Sequence, residues 1–153
     1  MRLVLAFSKC SKMNLKPNFK IWSKFKILVM ALTISIIEDN LMCQKVLVKT
    51  FESSSDFLIN KVYDSAEAAM EMIRMPPDVA IVDIELPGMN GIEFVKIIKM
   101  IVPEIRCLMY SSHEEDEIIR RAFENGATGY ISKKSSPEQV RTAVNEIRRE
   151  MHQ

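Results

Sequence analysis

Acidic side chains stand at the carboxyl ends of two short apolar segments of the chain. Glu38 and Asp39 come directly after the run 32–37, and Asp83 lies in the run 79–84. Carboxylates that share one site disfavour each other's ionisation unless a positive charge joins them. A hard divalent cation supplies such a charge, and Mg²⁺ suits a few carboxylates with retained water. If the fold brings these residues together, they predict a magnesium site.

The same residues could support phosphoryl transfer. A carboxylate beside a metal can act as a nucleophile toward phosphorus, which would make Asp83 an aspartyl phosphate. Lys133 would help neutralise the oxygens of the transferring group, and Ser111 adds a hydroxyl at another strand end. Turn residues at 87–91 let the chain pass close to Asp83, so that the backbone carbonyl of Glu85 would reach the metal.

Two patterns that alternate along the chain must position these residues. Short runs rich in branched apolar side chains predict buried strands, and segments with apolar residues at i, i+3 and i+4 predict helices. The predicted strands are 32–37, 57–62, 79–84, 105–110 and 129–132. The predicted helices are 41–52, 63–75, 90–101, 114–124 and the segment that follows the N-cap at position 136.

Strict alternation of five strands and five helices predicts an α/β fold. Strands that are apolar on both faces need cover on both sides, which favours a doubly wound parallel sheet. We expect the flavodoxin-like strand order 2-1-3-4-5, which makes the first and third strands neighbours. In such sheets the functional site lies beyond the carboxyl ends of the strands. The expected inward residues include Val46, Ile73 and Ile101, and Asp64 with Glu67 has the spacing of a capping box.

The net charge of +1 hides an asymmetry. Residues 1–29 hold seven basic residues and no acidic one, which leaves 14 basic against 20 acidic residues in 30–153. Residues 30–153 therefore carry a net negative charge, which is unsuited to non-specific nucleic-acid binding. Three cysteines without metal or redox spacing are typical of a cytoplasmic protein. The apolar run 27–37 is too short for a membrane span, which needs about 20 residues.

Four motifs in order resemble the receiver domain of two-component response regulators. They are IIEDN (36–40), VDIELPGMNGIEF (82–94), LMYSS (108–112) and GATGYISKK (126–134). The resemblance implies a receiver domain at 30–153. Residues 1–29 would then be a basic extension, poorly ordered or weakly helical, or else a basic arm for a membrane or nucleic acid.

The resemblance also implies residue roles. Asp83 would accept the phosphoryl group from a sensor histidine kinase or a phosphotransfer protein. Asp39 would bind Mg²⁺ directly and Glu38 through water. Ser111 and Lys133 would bind phosphoryl oxygens. The remaining implied roles are an inward switch of Tyr130 and tuning of dephosphorylation by Glu85 and His113.

The output implied by the resemblance is a conformational change of the surface formed by the fourth helix, fifth strand and fifth helix. Homodimerisation through this surface is one possible result of the change. Lys134 stands where the family usually has proline, which is closer to the subfamily that precedes a LuxR-type helix-turn-helix domain. Transcriptional control would act through a DNA-binding domain absent from this chain. The alternatives are a stand-alone receiver that acts by docking, and an aspartyl-phosphate phosphatase, which would want aspartate where Glu85 stands.

Overall fold

A computed structural model describes residues 30–151 and 153. Within these residues the strands are β1 (Leu32–Ile37), β2 (Phe57–Tyr63), β3 (Val79–Val82), β4 (Arg106–Ser111) and β5 (Gly129–Ser132). The helices are α1 (Leu41–Glu52), α2 (Ala66–Ala69), α3 (Gly91–Ile101), α4 (Asp116–Glu124) and α5 (Pro137–Glu150). The interpretation of residues 1–29 as a basic extension lies outside the described residues.

The strands form one parallel sheet in the order β2-β1-β3-β4-β5. This confirms the predicted fold and strand order. The register pairs Ile37 of β1 with Val82 of β3, so the two segments that carry the acidic residues leave the sheet side by side. The register of β1 against β2 shifts after Ile34, and Asn60 is left as the extra residue of an irregularity in the edge strand.

Two apolar cores lie on opposite faces of the sheet. One contains Ala80 and Val82 of β3 with residues of α2, α3 and α4, and the other contains Val79 and Ile81 with residues of α1 and α5. Successive side chains of a strand point to opposite faces, so β3 contributes to both cores. This double burial explains why the strands beside the site are apolar throughout.

The second helix departs from the sequence prediction. Its N-cap is Ser65, whose hydroxyl accepts a hydrogen bond from the Ala68 N–H at 3.3 Å, and not Asp64. After Ala69 the chain tightens into a 3₁₀ helix, Met70–Arg74. Because this helix has about three residues per turn, the inward position moves from the expected Ile73 to Met72.

Two other apolar residues were expected inside and are exposed. Val46 of α1 and Ile101, the last residue of α3, face solvent, while Leu47 and Phe51 of α1 and Ile98 of α3 are buried. A helix buries only the stripe that meets the sheet, and positions at the margin or at the end of that stripe stay outside. The described residues 30–151 contain no helix with the length and apolar character to cross a bilayer.

Candidate functional site

Three carboxylates meet where β1 and β3 end. The Asp83 N–H donates to the carbonyl of Ile37 at 2.9 Å, and this bond extends the β1–β3 pairing to the acidic residues. One carboxylate oxygen from each of Glu38, Asp39 and Asp83 lies within 4.8 Å of the others. Glu38 and Asp83 are buried and Asp39 is exposed. The structure therefore brings together the acidic residues that the sequence placed at two strand ends.

Lys133 is the cation of this cluster. Its Nζ lies 2.8 Å from Asp83 Oδ2 and 2.8 Å from Glu38 Oε2. The Lys133 N–H donates to the Ser111 carbonyl at 2.8 Å, which continues the β4–β5 pairing and fixes the base of the side chain. Burial lowers the pKa of Lys133, but its contacts with Asp83 and Glu38 outweigh burial and raise it, so the ammonium is retained.

Glu38 leaves one oxygen without a hydrogen bond. Its Oε1 accepts the Asn40 N–H at 3.0 Å, whereas Oε2 has only the ion pair with Lys133, which lacks hydrogen-bond geometry. Burial raises the pKa of Glu38, partly opposed by Lys133. A buried carboxylate oxygen that has an ion pair but no hydrogen bond, beside two other carboxylates, fits a hard divalent cation, which would favour the ionised form.

The loop after β3 passes close to Asp83. The Glu85 N–H donates to Asp83 Oδ1 at 3.3 Å, and Gly88 adopts a positive φ of 75°. Asn90 then caps α3, and its side chain accepts hydrogen bonds from the N–H groups of Ile92 and Glu93 at 3.0 Å each. The turn residues therefore return the chain into a helix whose first residue, Gly91, lies close to the Asp83 backbone.

Gly91 is required by this close passage. A Cβ at this position would lie 1.9 Å from the Asp83 carbonyl oxygen. Gly91→Ala is expected to lower the free energy of unfolding by about 1–3 kcal/mol or more, since backbone atoms must move to relieve the overlap. Urea denaturation measures the loss.

Gly129→Ala is the matched control for that substitution. A Cβ at Gly129 would meet the Leu108 Cδ1 methyl at 3.0 Å, and this side-chain end can shift. A loss for Gly91→Ala no larger than that for Gly129→Ala would contradict the predicted role of the close passage.

Ser111 is the last residue of β4 and is fully buried. Its Oγ accepts the His113 N–H at 3.2 Å, and the Tyr130 hydroxyl donates to the His113 carbonyl at 2.9 Å. The His113 Nε2 lies 3.2 Å from Glu85 Oε1, so the side chains expected to tune dephosphorylation contact each other. Burial raises the pKa of Tyr130 above its ordinary value.

Sequence reasoning did not single out Asn40 and Tyr110. Asn40 donates its N–H to Glu38 and, through its side-chain oxygen, caps α1 at the Met42 and Cys43 N–H groups. The Tyr110 ring lies 5.8 Å from the Lys133 Nζ. The position of Asn40, between the acidic pair and a predicted helix, is a capping signal that could have identified it.

The fold and the site define a class of protein: a doubly wound domain with an acidic cluster and a lysine at the carboxyl ends of its strands. Residues 34–145 match the family described as response regulator receiver domain. The chain belongs to this family, and it is the receiver domain of a two-component response regulator.

One curated relative is the DNA-binding transcriptional activator DevR/DosR of Mycobacterium tuberculosis, 30% identical over 115 residues. The match covers 73% of this chain and 52% of DevR/DosR, and the chain spans about half the length of the curated relatives it matches, or less. The relatives include NarL-type response regulators, in agreement with the subfamily suggested by the sequence.

Solved structures agree with this assignment. The receiver domain of NarL from Mycobacterium tuberculosis has a TM-score of 0.72 at 26% identity, and the match covers 76% of this chain and 94% of that one. The response regulator domain of Thermotoga maritima CheB has a TM-score of 0.70 at 30% identity and covers 80% of this chain and 98% of its own.

Proposed function

We propose that this domain is a phosphorylation-controlled switch and that Asp83 is its phosphoacceptor. The observation that carries the proposal is the contact of Lys133 with two buried carboxylates, Glu38 and Asp83, with Asp39 beside them. The donor would be a histidine of a sensor kinase or phosphotransfer protein. An Asp83 oxygen forms a bond to phosphorus, and the bond to the donor nitrogen breaks with its electron pair left on that nitrogen.

The residues have distinct roles in this proposal. Glu38, Asp39, Asp83 and the Glu85 carbonyl would hold Mg²⁺, which when bound neutralises charge on the transferring group. Lys133 already contacts Asp83 and would pair with a phosphoryl oxygen. Glu85 and His113 would tune dephosphorylation.

Phosphorylation adds nearly two negative charges beside Lys133. We propose that Ser111 then turns from the His113 N–H toward the phosphoryl group and that Tyr130 moves inward. The surface of α4, β5 and α5 is suited to respond, since only Ala122 of α4 is buried and every residue of β5 is half-buried. A nearly complete switch between the two conformations requires that phosphorylation stabilise one relative to the other by roughly 5.5 kcal/mol.

The output that we propose is control of transcription through a LuxR-type DNA-binding domain outside this chain, with homodimerisation through the α4-β5-α5 surface. The relatives named as transcriptional activators support this proposal. We propose that the protein is located in the cytoplasm, where such kinases and DNA would be accessible to it. A receiver that acts by protein docking alone remains the second candidate.

The phosphatase alternative is disfavoured by one side chain. Such an enzyme would want aspartate two residues after the nucleophile, and Glu85 occupies that position. The Glu85 side chain is 62% exposed and contacts His113, outside the acidic cluster.

Beryllofluoride, a phosphoryl mimic, tests the proposal. With Mg²⁺ and beryllofluoride at about one hundred times the dissociation constant, the melting temperature is expected to rise by roughly 10 °C. Differential scanning fluorimetry measures the shift, with Mg²⁺ alone and fluoride alone as controls. No shift beyond that with Mg²⁺ alone would overturn the phosphoacceptor proposal and favour docking.

A further inference from the structure

Three residues, two in β5 and one in the turn that follows it, bind the loop that leaves β4. The Tyr130 hydroxyl donates to the His113 carbonyl at 2.9 Å, the Ser132 hydroxyl donates to Glu114 Oε1 at 2.9 Å, and the Lys134 Nζ donates to Glu114 Oε2 at 3.0 Å. Tyr130 and Ser132 are alternate residues of β5 and share one face of the strand, whereas Lys134 lies in the turn that follows. The three contacts therefore form a row that runs from the strand into the turn.

The loop held by this row also holds Ser111. The Ser111 Oγ accepts the His113 N–H, one residue before Glu114. Lys133 lies between Ser132 and Lys134 and reaches Asp83 instead. The end of β5 and the turn after it thus carry both the lysine of the site and the contacts that hold the β4–α4 loop.

We propose that Glu114 and Lys134 are positioning residues that oppose the phosphorylated form. With Ser132 they constitute the β4–α4 latch, which keeps the loop and the Ser111 hydroxyl in the conformation observed. This inference rests on the proposed function, because it concerns the movement of Ser111 toward the phosphoryl group. The residue that the resemblance flagged as a departure, Lys134, would thereby set how readily the domain switches.

The latch is suited to regulation more than to stability. The Lys134 and Glu114 side chains are 75% and 53% exposed, and ion pairs between exposed groups contribute little to folding. A small bias on a two-state loop still changes the apparent affinity of any ligand that needs the other state. Breaking the latch is expected to tighten beryllofluoride binding roughly twofold to fivefold.

Two single substitutions separate a latch from simple charge effects. Glu114→Gln removes a negative charge and Lys134→Met removes a positive one, but both break the Glu114–Lys134 ion pair. The latch predicts that each variant binds beryllofluoride more tightly in saturating Mg²⁺, measured by titration calorimetry, while the affinity for Mg²⁺ alone stays unchanged. Opposite effects of the two variants would mean plain electrostatics and would overturn the proposal.

A rescue and a control complete the experiment. The double variant Glu114→Lys with Lys134→Glu restores an ion pair and is expected to return the affinity to that of the unaltered protein. Glu71→Gln breaks the exposed Lys61–Glu71 ion pair on the opposite edge of the sheet. This control variant should bind beryllofluoride with the affinity of the unaltered protein.

The two proposals fail in different ways. Absence of beryllofluoride binding by the unaltered protein would overturn the phosphoacceptor proposal itself. If the unaltered protein binds beryllofluoride but Glu114→Gln and Lys134→Met bind it with equal or lower affinity, the latch alone would be overturned.

Discussion

Asp83→Asn is expected to abolish incorporation of phosphoryl groups from acetyl phosphate in the presence of Mg²⁺. The amide that replaces the carboxylate lacks the anionic oxygen that would bond to phosphorus, and it removes one charge from the proposed metal ligands. Asp83 is buried directly after its strand, and its Oδ2 lies 2.8 Å from the Lys133 Nζ, the cation that would pair with a phosphoryl oxygen. Intact-mass spectrometry with and without acetyl phosphate measures the incorporation.

Asp64→Asn provides the matched control for this substitution. Asp64 is an exposed aspartate that precedes α2, and its change should leave incorporation as it is in the unaltered protein. The label on the unaltered protein should be released by hydroxylamine, as expected for an acyl phosphate. Incorporation by Asp83→Asn at the level of Asp64→Asn would refute the assignment.

The second large effect concerns Lys133, whose loss leaves two buried carboxylates without a counter-ion. Glu38 is 1% and Asp83 is 2% exposed, and each contacts the Lys133 Nζ at 2.8 Å. Removal of one partner from a buried ion pair costs about 3–5 kcal/mol, and we expect Lys133→Met to fall near the lower end because the lysine is partly exposed. Urea denaturation in EDTA measures this loss.

Addition of Mg²⁺ is expected to restore part of the stability of Lys133→Met, because cation binding to the folded state alone stabilises it. Lys134→Met alters the neighbouring lysine, which is exposed and lies outside the acidic cluster, and should have little effect on unfolding. A Lys133→Met variant as stable as the unaltered protein in EDTA would show that the lysine is not the counter-ion of Glu38 and Asp83.

Much of the site could be predicted because it depends on strand ends. Apolar runs identified the strands, and the parallel order 2-1-3-4-5 makes neighbours of the strands that precede Glu38 and Asp83. The pairing of Ile37 with Val82 then fixes the proximity of the carboxylates. Residues whose placement follows from strand order and register are therefore accessible to sequence reasoning.

Helix faces were predicted less well. The expected stripe of the second helix assumed 3.6 residues per turn, whereas the 3₁₀ geometry from Met70 buries Met72 and exposes Ile73. The spacing of Asp64 and Glu67 suggested a capping box, but Ser65 is the cap and Glu67 accepts the Met89 N–H at 2.8 Å. The change to 3₁₀ geometry and the choice of cap respond to tertiary contacts, and such contacts leave no periodic pattern in the sequence.

The contacts between loops were also beyond sequence reasoning. Glu114 contacts Ser132 and Lys134, which are about twenty residues away in sequence. His113 contacts Glu85, which lies in another loop. These side chains are long and partly exposed, and their pairing depends on how two loops leave the sheet. The roles of these residues in signalling stay predictions for the experiments above.

The irregular edge strand has a consequence for how copies of this domain could associate. The extra residue at Asn60 interrupts the regular spacing of backbone donors and acceptors on β2, and the charged Lys61 follows it. Interruptions and lysines of this kind hinder the addition of a foreign strand, and with it amyloid-like stacking. At the other edge β5 offers only four residues. We therefore expect reversible association of this domain to use helix surfaces and to leave the sheet at five strands.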